Sequence, residues 1–101
     1  MSHDFTLPAE LTIYSAAETR GALLGWLAGH GGEPTEPLTL AAHGVEEVDG
    51  AGLQLLCALS LSLERKHWAW QLVAPSAAFT TACRSLGLTE WLAQHLAAEA
   101  A

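Results

Sequence analysis

Positive charge is what this 101-residue chain has least of. Against 11 acidic side chains it carries only Arg20, Arg65, Lys66 and Arg84, for a net charge of −7. Proteins that bind nucleic acid take much of their affinity from lysine and arginine on phosphates, and anionic membrane surfaces attract the same residues. The charge balance excludes both partners. No apolar run approaches the roughly 20 residues a bilayer span needs. The N-terminus, with His3 and Asp4, has no basic stretch ahead of an apolar one, so no signal peptide is expected and the location reads as cytoplasmic. Cysteine occurs only at 57 and 83, too seldom for a disulfide framework. Both positions fall in expected helices, where a small buried hydrophobe is the usual role.

Catalytic and metal-binding patterns are missing too. The five histidines, at 3, 30, 43, 67 and 95, lie in separate segments without zinc-ligand spacing. No serine sits in a nucleophile elbow, and Gly50-Ala51-Gly52 is too short for a nucleotide phosphate loop. Glu46, Glu47 and Asp49 form an acidic cluster, but exposed loop glutamates are usually just solvated. No enzyme, metal or cofactor is expected.

What is present is a hydrophobic chain: 50% of its residues are apolar and 15% charged, which excludes disorder. A chain of this length makes one domain, residues 1–101, burying roughly 65% of its unfolded surface. Phe5-Thr6-Leu7 is expected as a first strand stopped by Pro8, and Leu11-Thr12-Ile13-Tyr14 as a second. Ser15 and Glu18 have capping-box spacing for a helix from Ala16 to Ala28, with Ala16, Leu23, Leu24 and Leu27 on one face and Trp26 at its margin. A glycine-rich stop and a polar loop lead to a third strand, Leu38 to Ala42. A fourth spans Trp68 to Val73. Ser76 caps a third helix with Phe79, Ala82, Cys83 and Leu86 in register and Gly87 as its C-terminal cap. Thr89 opens a last helix bearing Trp91, Leu92 and Leu96. The core is expected over about residues 7–92, with residues 97–101 frayed.

The chain turns on Val48-Asp49-Gly50-Ala51-Gly52-Leu53-Gln54-Leu55-Leu56. Val45 and Val48 end an extended segment, and a leucine-rich helix follows to about Lys66. Asp49 reads as its N-cap. Gly50 and Gly52 leave bare N–H groups at the positive end of the helix dipole, open to an anion or a partner's backbone. Each glycine costs a helix about 1 kcal/mol against alanine. Either close approach or a tight strand-to-helix turn accounts for them. Stepping about 100° per residue puts Leu53, Leu56, Leu59, Ser60 and Leu63 on one arc facing the sheet. Leu55 and Leu61 lie off it, either touching a neighbouring helix or open to a partner. Strands alternating with helices imply an α/β fold with a mostly parallel sheet.

This stretch resembles the signature of STAS domains, the family of bacterial anti-sigma-factor antagonists, in which a strand runs into Asp-Ser-Ser/Thr-Gly-Leu at a helix start. Asp49, Gly52 and Leu53 match as they stand. The position of the serine that a partner kinase phosphorylates is Gly50, and the next is Ala51; neither has a hydroxyl, so no phosphosite is expected. Where many STAS domains read Leu-Asp-Leu-Ser before the turn, this chain has Leu40, Ala41, Ala42 and His43. We read this as the phospho-acceptor neighbourhood dismantled together. The resemblance extends over about residues 7–92 and implies a roughly four-stranded, mostly parallel sheet with helices mainly on one face.

It also implies a non-enzymatic protein-interaction module of bacterial signalling, lacking the phosphorylation switch. Its partner would be an anti-sigma factor or kinase, or a chemotaxis-type or histidine-kinase signalling protein. The expected partner-binding residues are His43, Gly44, Asp49, Gly50, Ala51, Gly52 and Gln54, with the adjacent first helix. Two alternatives stand beside it. A STAS subunit can bind the ATPase of a lipid-transport ABC complex, and the helix N-terminus at Gly50 can hold a small anion as a ligand sensor.

Overall fold

Pro8 divides the N-terminal strand region into two pieces. In the computed structural model, which describes residues 3–97, β1 (Asp4–Thr6) pairs in parallel with β3 (Leu38–Ala41). The Leu7 N–H extends that ladder to the Ala41 carbonyl at 2.9 Å. Proline has no N–H to donate, so the ladder stops there. The chain resumes as β2 (Glu10–Leu11), parallel to β4 (Glu47–Val48). β3 pairs on its other side with β5 (Trp70–Val73), again in parallel. The expected mostly parallel sheet is thus present as a three-stranded sheet, β1-β3-β5, with a separate two-stranded pair, β2-β4.

The expected second strand, Leu11 to Tyr14, is shorter than its β-forming residues predict. Ile13 and Tyr14 lie in a turn and are 65% and 93% exposed. Ser15 is the cause. Its hydroxyl accepts the Thr12 N–H at 3.1 Å and donates to the Glu10 carbonyl at 2.8 Å, taking backbone groups that a longer strand would need. With that hydroxyl engaged, the capping box with Glu18 does not form, and α1 (Ala16–Ala28) begins without a side-chain cap. Thr19 and Leu23 are its buried positions, while Leu24, expected on the inner face, is 48% exposed.

α2 (Gly50–Arg65) buries Leu53, Leu56, Leu59, Ser60 and Leu63, the arc its periodicity predicts. Leu55 is partly buried against the core and Leu61 is 54% exposed. α3 (Ala77–Ser85) buries Phe79 and Cys83. Its end follows from Gly87, whose φ of 76° lets the Leu88 N–H return to the Cys83 carbonyl at 2.8 Å, a Schellman closure. α4 (Thr89–His95) packs along β5. The Ala97 N–H donates to the Leu72 carbonyl at 2.8 Å. Residues 98–101 lie outside the described residues.

The core gathers Leu7, Leu11, Leu40, Leu53, Leu72 and Phe79 between these elements. Phe79 is fully buried, and truncating such a ring costs about 3–5 kcal/mol.

Candidate partner-binding site

Asp49 builds the site. It sits in extended conformation after β4, and its carboxylate faces two N–H groups from different parts of the chain. Oδ1 accepts the Gly52 N–H at 3.0 Å, the N-cap bond the sequence predicts. Oδ2 accepts the Ile13 N–H at 3.0 Å, across 36 positions. Holding those donors favours the charged form. The carboxyl is pulled below its ordinary value near 3.8, chiefly by Ile13, then Gly52, with Ala51 adding and partial desolvation opposing. Asp49 therefore ties the first turn of α2 to the turn that precedes α1.

The two glycines of this turn have different reasons. A Cβ on Gly52 would overlap the Leu11 carbonyl oxygen and stand 2.6 Å from its carbonyl carbon. Only glycine lets α2 start this close to β2. Gly50 meets nothing within 4 Å where its Cβ would be and is exposed. Its bareness is a property of the surface, not of packing.

Around this turn the expected residues are brought together only in part. Gly50 and Gln54 are exposed, Asp49 and Ala51 half-buried, and Gly52 is buried, so it shapes the turn without presenting a surface. His43 and Gly44 are exposed in the turn after β3, and Val45 behind them is buried. Neither lines the groove beside α2 described next.

An open groove of about 780 Å³ runs from Glu46 to Gly50 on one side to α3 on the other, where Ala78, Thr81 and Leu86 line it. α1 packs on α2, and the wall that closes this groove is α3, packed on β4. Ser76 fixes that wall: its hydroxyl donates to the Val45 carbonyl at 2.6 Å while accepting the Phe79 N–H at 3.1 Å. The available signal was the outward row Ala77, Thr81 and Ser85, small and exposed at helical spacing. On the far side of Asp49, the Ile13–Tyr14 turn is a second contribution that the strand expectation concealed.

Among the described residues no three histidine, cysteine or acidic side chains are placed to hold a metal ion. Burial pushes the Cys83 thiol up to about 11, with Cys57 adding to the shift, so neither its position nor its protonation suits a nucleophile. Among the described residues no helix is long and apolar enough to cross a membrane.

A mostly parallel α/β core with a glycine-bearing strand-to-helix turn at its surface is the architecture of a STAS-type interaction domain. The chain matches the family model described as Mlab, STAS domain over residues 5–96, and it belongs to that family. No curated protein and no solved structure matches it.

Proposed function

We propose that this chain is a non-enzymatic, cytoplasmic protein-interaction module whose binding surface is the first turn of α2 and that works without a phosphorylation switch. The observation that carries the reading is Gly50. It stands where the family resemblance puts the phospho-acceptor, has no hydroxyl, and opens onto unobstructed space. A turn anchored at both ends by Asp49 yet bare at Gly50 is preorganised for a partner's close approach, which lowers the ordering cost of binding. The partner is a signalling protein of the anti-sigma, kinase or chemotaxis type. The second reading, an accessory subunit on the ATPase of a lipid-transport ABC complex, uses the same surface, and membership of the family described as Mlab, STAS domain supports keeping it.

Gly50→Asp tests the reading. One added carboxylate at a helix N-terminus is neutral or favourable to the fold by about 0.3–1 kcal/mol. In an interface, an unpaired buried charge costs several kcal/mol. Capture from the native host with wild-type and variant bait, followed by calorimetry on the captured partner, should show unchanged melting and lost affinity. Equal capture and equal affinity would move the binding site away from this turn. The captured protein's identity separates the two partner classes, and phosphate titration tests the anion-sensor alternative.

A further inference from the structure

Two exposed apolar features flank the first turn of α2 and are not needed to build the core. On one side Ile13 and Tyr14 are 65% and 93% exposed at adjacent positions. Their backbone is nevertheless fixed: the Ile13 N–H binds Asp49, the Tyr14 N–H donates to the Thr12 hydroxyl at 3.2 Å, and the Ser15 N–H closes onto the Thr12 carbonyl at 3.1 Å. On the other side the groove ends at Leu86, half exposed. Exposed aromatic and apolar side chains on a rigid backbone lose little entropy on docking, and tyrosine is enriched among residues that dominate interface energies.

Every charged side chain that lines the groove is acidic. Glu46, Glu47 and Asp49 line the groove, Glu10 lies beside the Ile13 turn, and no lysine or arginine lines the groove. Arg65 and Lys66 stand at the opposite end of α2, about 24 Å away at 1.5 Å per residue, beyond a Debye length of about 10 Å. Arg84 is exposed on α3 and does not line the groove.

Resting on the interaction-module reading above, we propose that this surface docks a cationic protein segment with an apolar centre: Ile13, Tyr14 and Leu86, with Gly50 between them, meet the apolar centre, where an added carboxylate at position 50 would find no cation, and Glu46 and Glu47 meet the lysines or arginines around it. Charge selects this occupant over the others. A second copy docked through this same surface would set one acidic patch against another, and an anionic lipid surface would be repelled by the same carboxylates.

The probes are short synthetic helical peptides titrated into the 15N-labelled chain. One carries a leucine face flanked by lysines, one has glutamate for lysine, and one has serine for leucine. The lysine–leucine peptide should shift the amide signals of Ile13, Tyr14, Glu46 to Gly50 and Thr81 to Leu86, and weaken as salt rises. Both other peptides should bind about tenfold or more weaker, as should the lysine–leucine peptide to Tyr14→Ala, whose melting should match wild type. Glu46→Lys with Glu47→Lys should reverse the preference toward the glutamate peptide, while Glu33→Lys with Glu36→Lys should not. Equal response to all peptides, shifts centred on Leu24 and Leu55, an unaffected Tyr14→Ala, or a wild-type dimer in sedimentation formed through this face would each overturn the proposal. If these peptides fail while Gly50→Asp still loses its native partner, the turn remains the binding site and the cationic chemistry assigned to its partner is wrong.

Discussion

The α-carbon of Gly52 lies against the carbonyl of Leu11, so that the first turn of α2 and the end of β2 share space no side chain can enter. Helix propensity alone would favour alanine at Gly52 by about 1 kcal/mol. The overlap reverses the sign, since the obstacle is backbone and cannot rotate away. Gly52→Ala should destabilise by about 1–3 kcal/mol, and Gly52→Val by more. In a domain of this size each kcal/mol lowers Tm by about 4–8 °C. Gly50→Ala is the control. With open space at its Cβ it should leave stability unchanged or raise it by about 0.4–1 kcal/mol. Thermal melts of the three variants decide this, and unchanged or higher melting for Gly52→Val would show that β2 yields.

Asp49 sets an acid limit. Its pKa is lowered in the fold by the Ile13 and Gly52 N–H groups, so the stability it confers is present above its unfolded value near 3.8 and is lost as pH falls through the lower folded value. Asp49→Ala should lower Tm at neutral pH, and the gap to wild type should narrow below about pH 4. A gap that stays constant down to pH 2 would mean the carboxylate charge contributes nothing.

His95 sets a second window nearer neutrality. Its ring stacks on Trp70 with centroids 4.3 Å apart and 19° between planes, with Trp91 at 5.5 Å. Burial lowers its pKa from the ordinary 6.5, and Glu64, 3.9 Å away, partly opposes the shift. A lowered histidine pKa means the fold prefers the neutral ring. That contribution is full above about pH 6.5 and lost as pH falls through the folded value. Wild type should therefore lose stability as pH falls below about 6.5, and His95→Phe should flatten that part of the profile. The check is Tm against pH, with tryptophan fluorescence reporting the packing of α4 on β5.

Kinase treatment should leave the turn unmodified. Gly50 and Ala51 supply no acceptor oxygen. Incubation with ATP and a STAS-directed kinase, followed by intact-mass measurement, should show no added phosphate there. Gly50→Ser restores a hydroxyl at an exposed, unobstructed position and is the variant expected to gain one. A phosphate mapped to His43 in the wild-type chain would show that the neighbourhood is not silent.

Much of this protein is decided by local chemistry and so was legible in the sequence. Asp49 caps α2 through a bond three residues long, Gly87 closes α3 through its own φ, and the buried face of α2 follows from 3.6-residue periodicity. Interactions of that range depend on neighbours in the chain, and the motif they form also carried the family. What the sequence left open depends on groups that meet only after folding. The reason Gly52 must be glycine is the backbone of Leu11, 41 positions away. The second oxygen of Asp49 is claimed by Ile13, and Ser15 spends its hydroxyl on Glu10 and Thr12, cutting β2 short and turning Ile13 and Tyr14 outward. The wall of the groove is α3 because Ser76 reaches Val45 across 31 positions. No periodicity records such meetings, because they are fixed by how the layers stack; the candidate surface was therefore decided by the tertiary structure, and its central turn by the sequence.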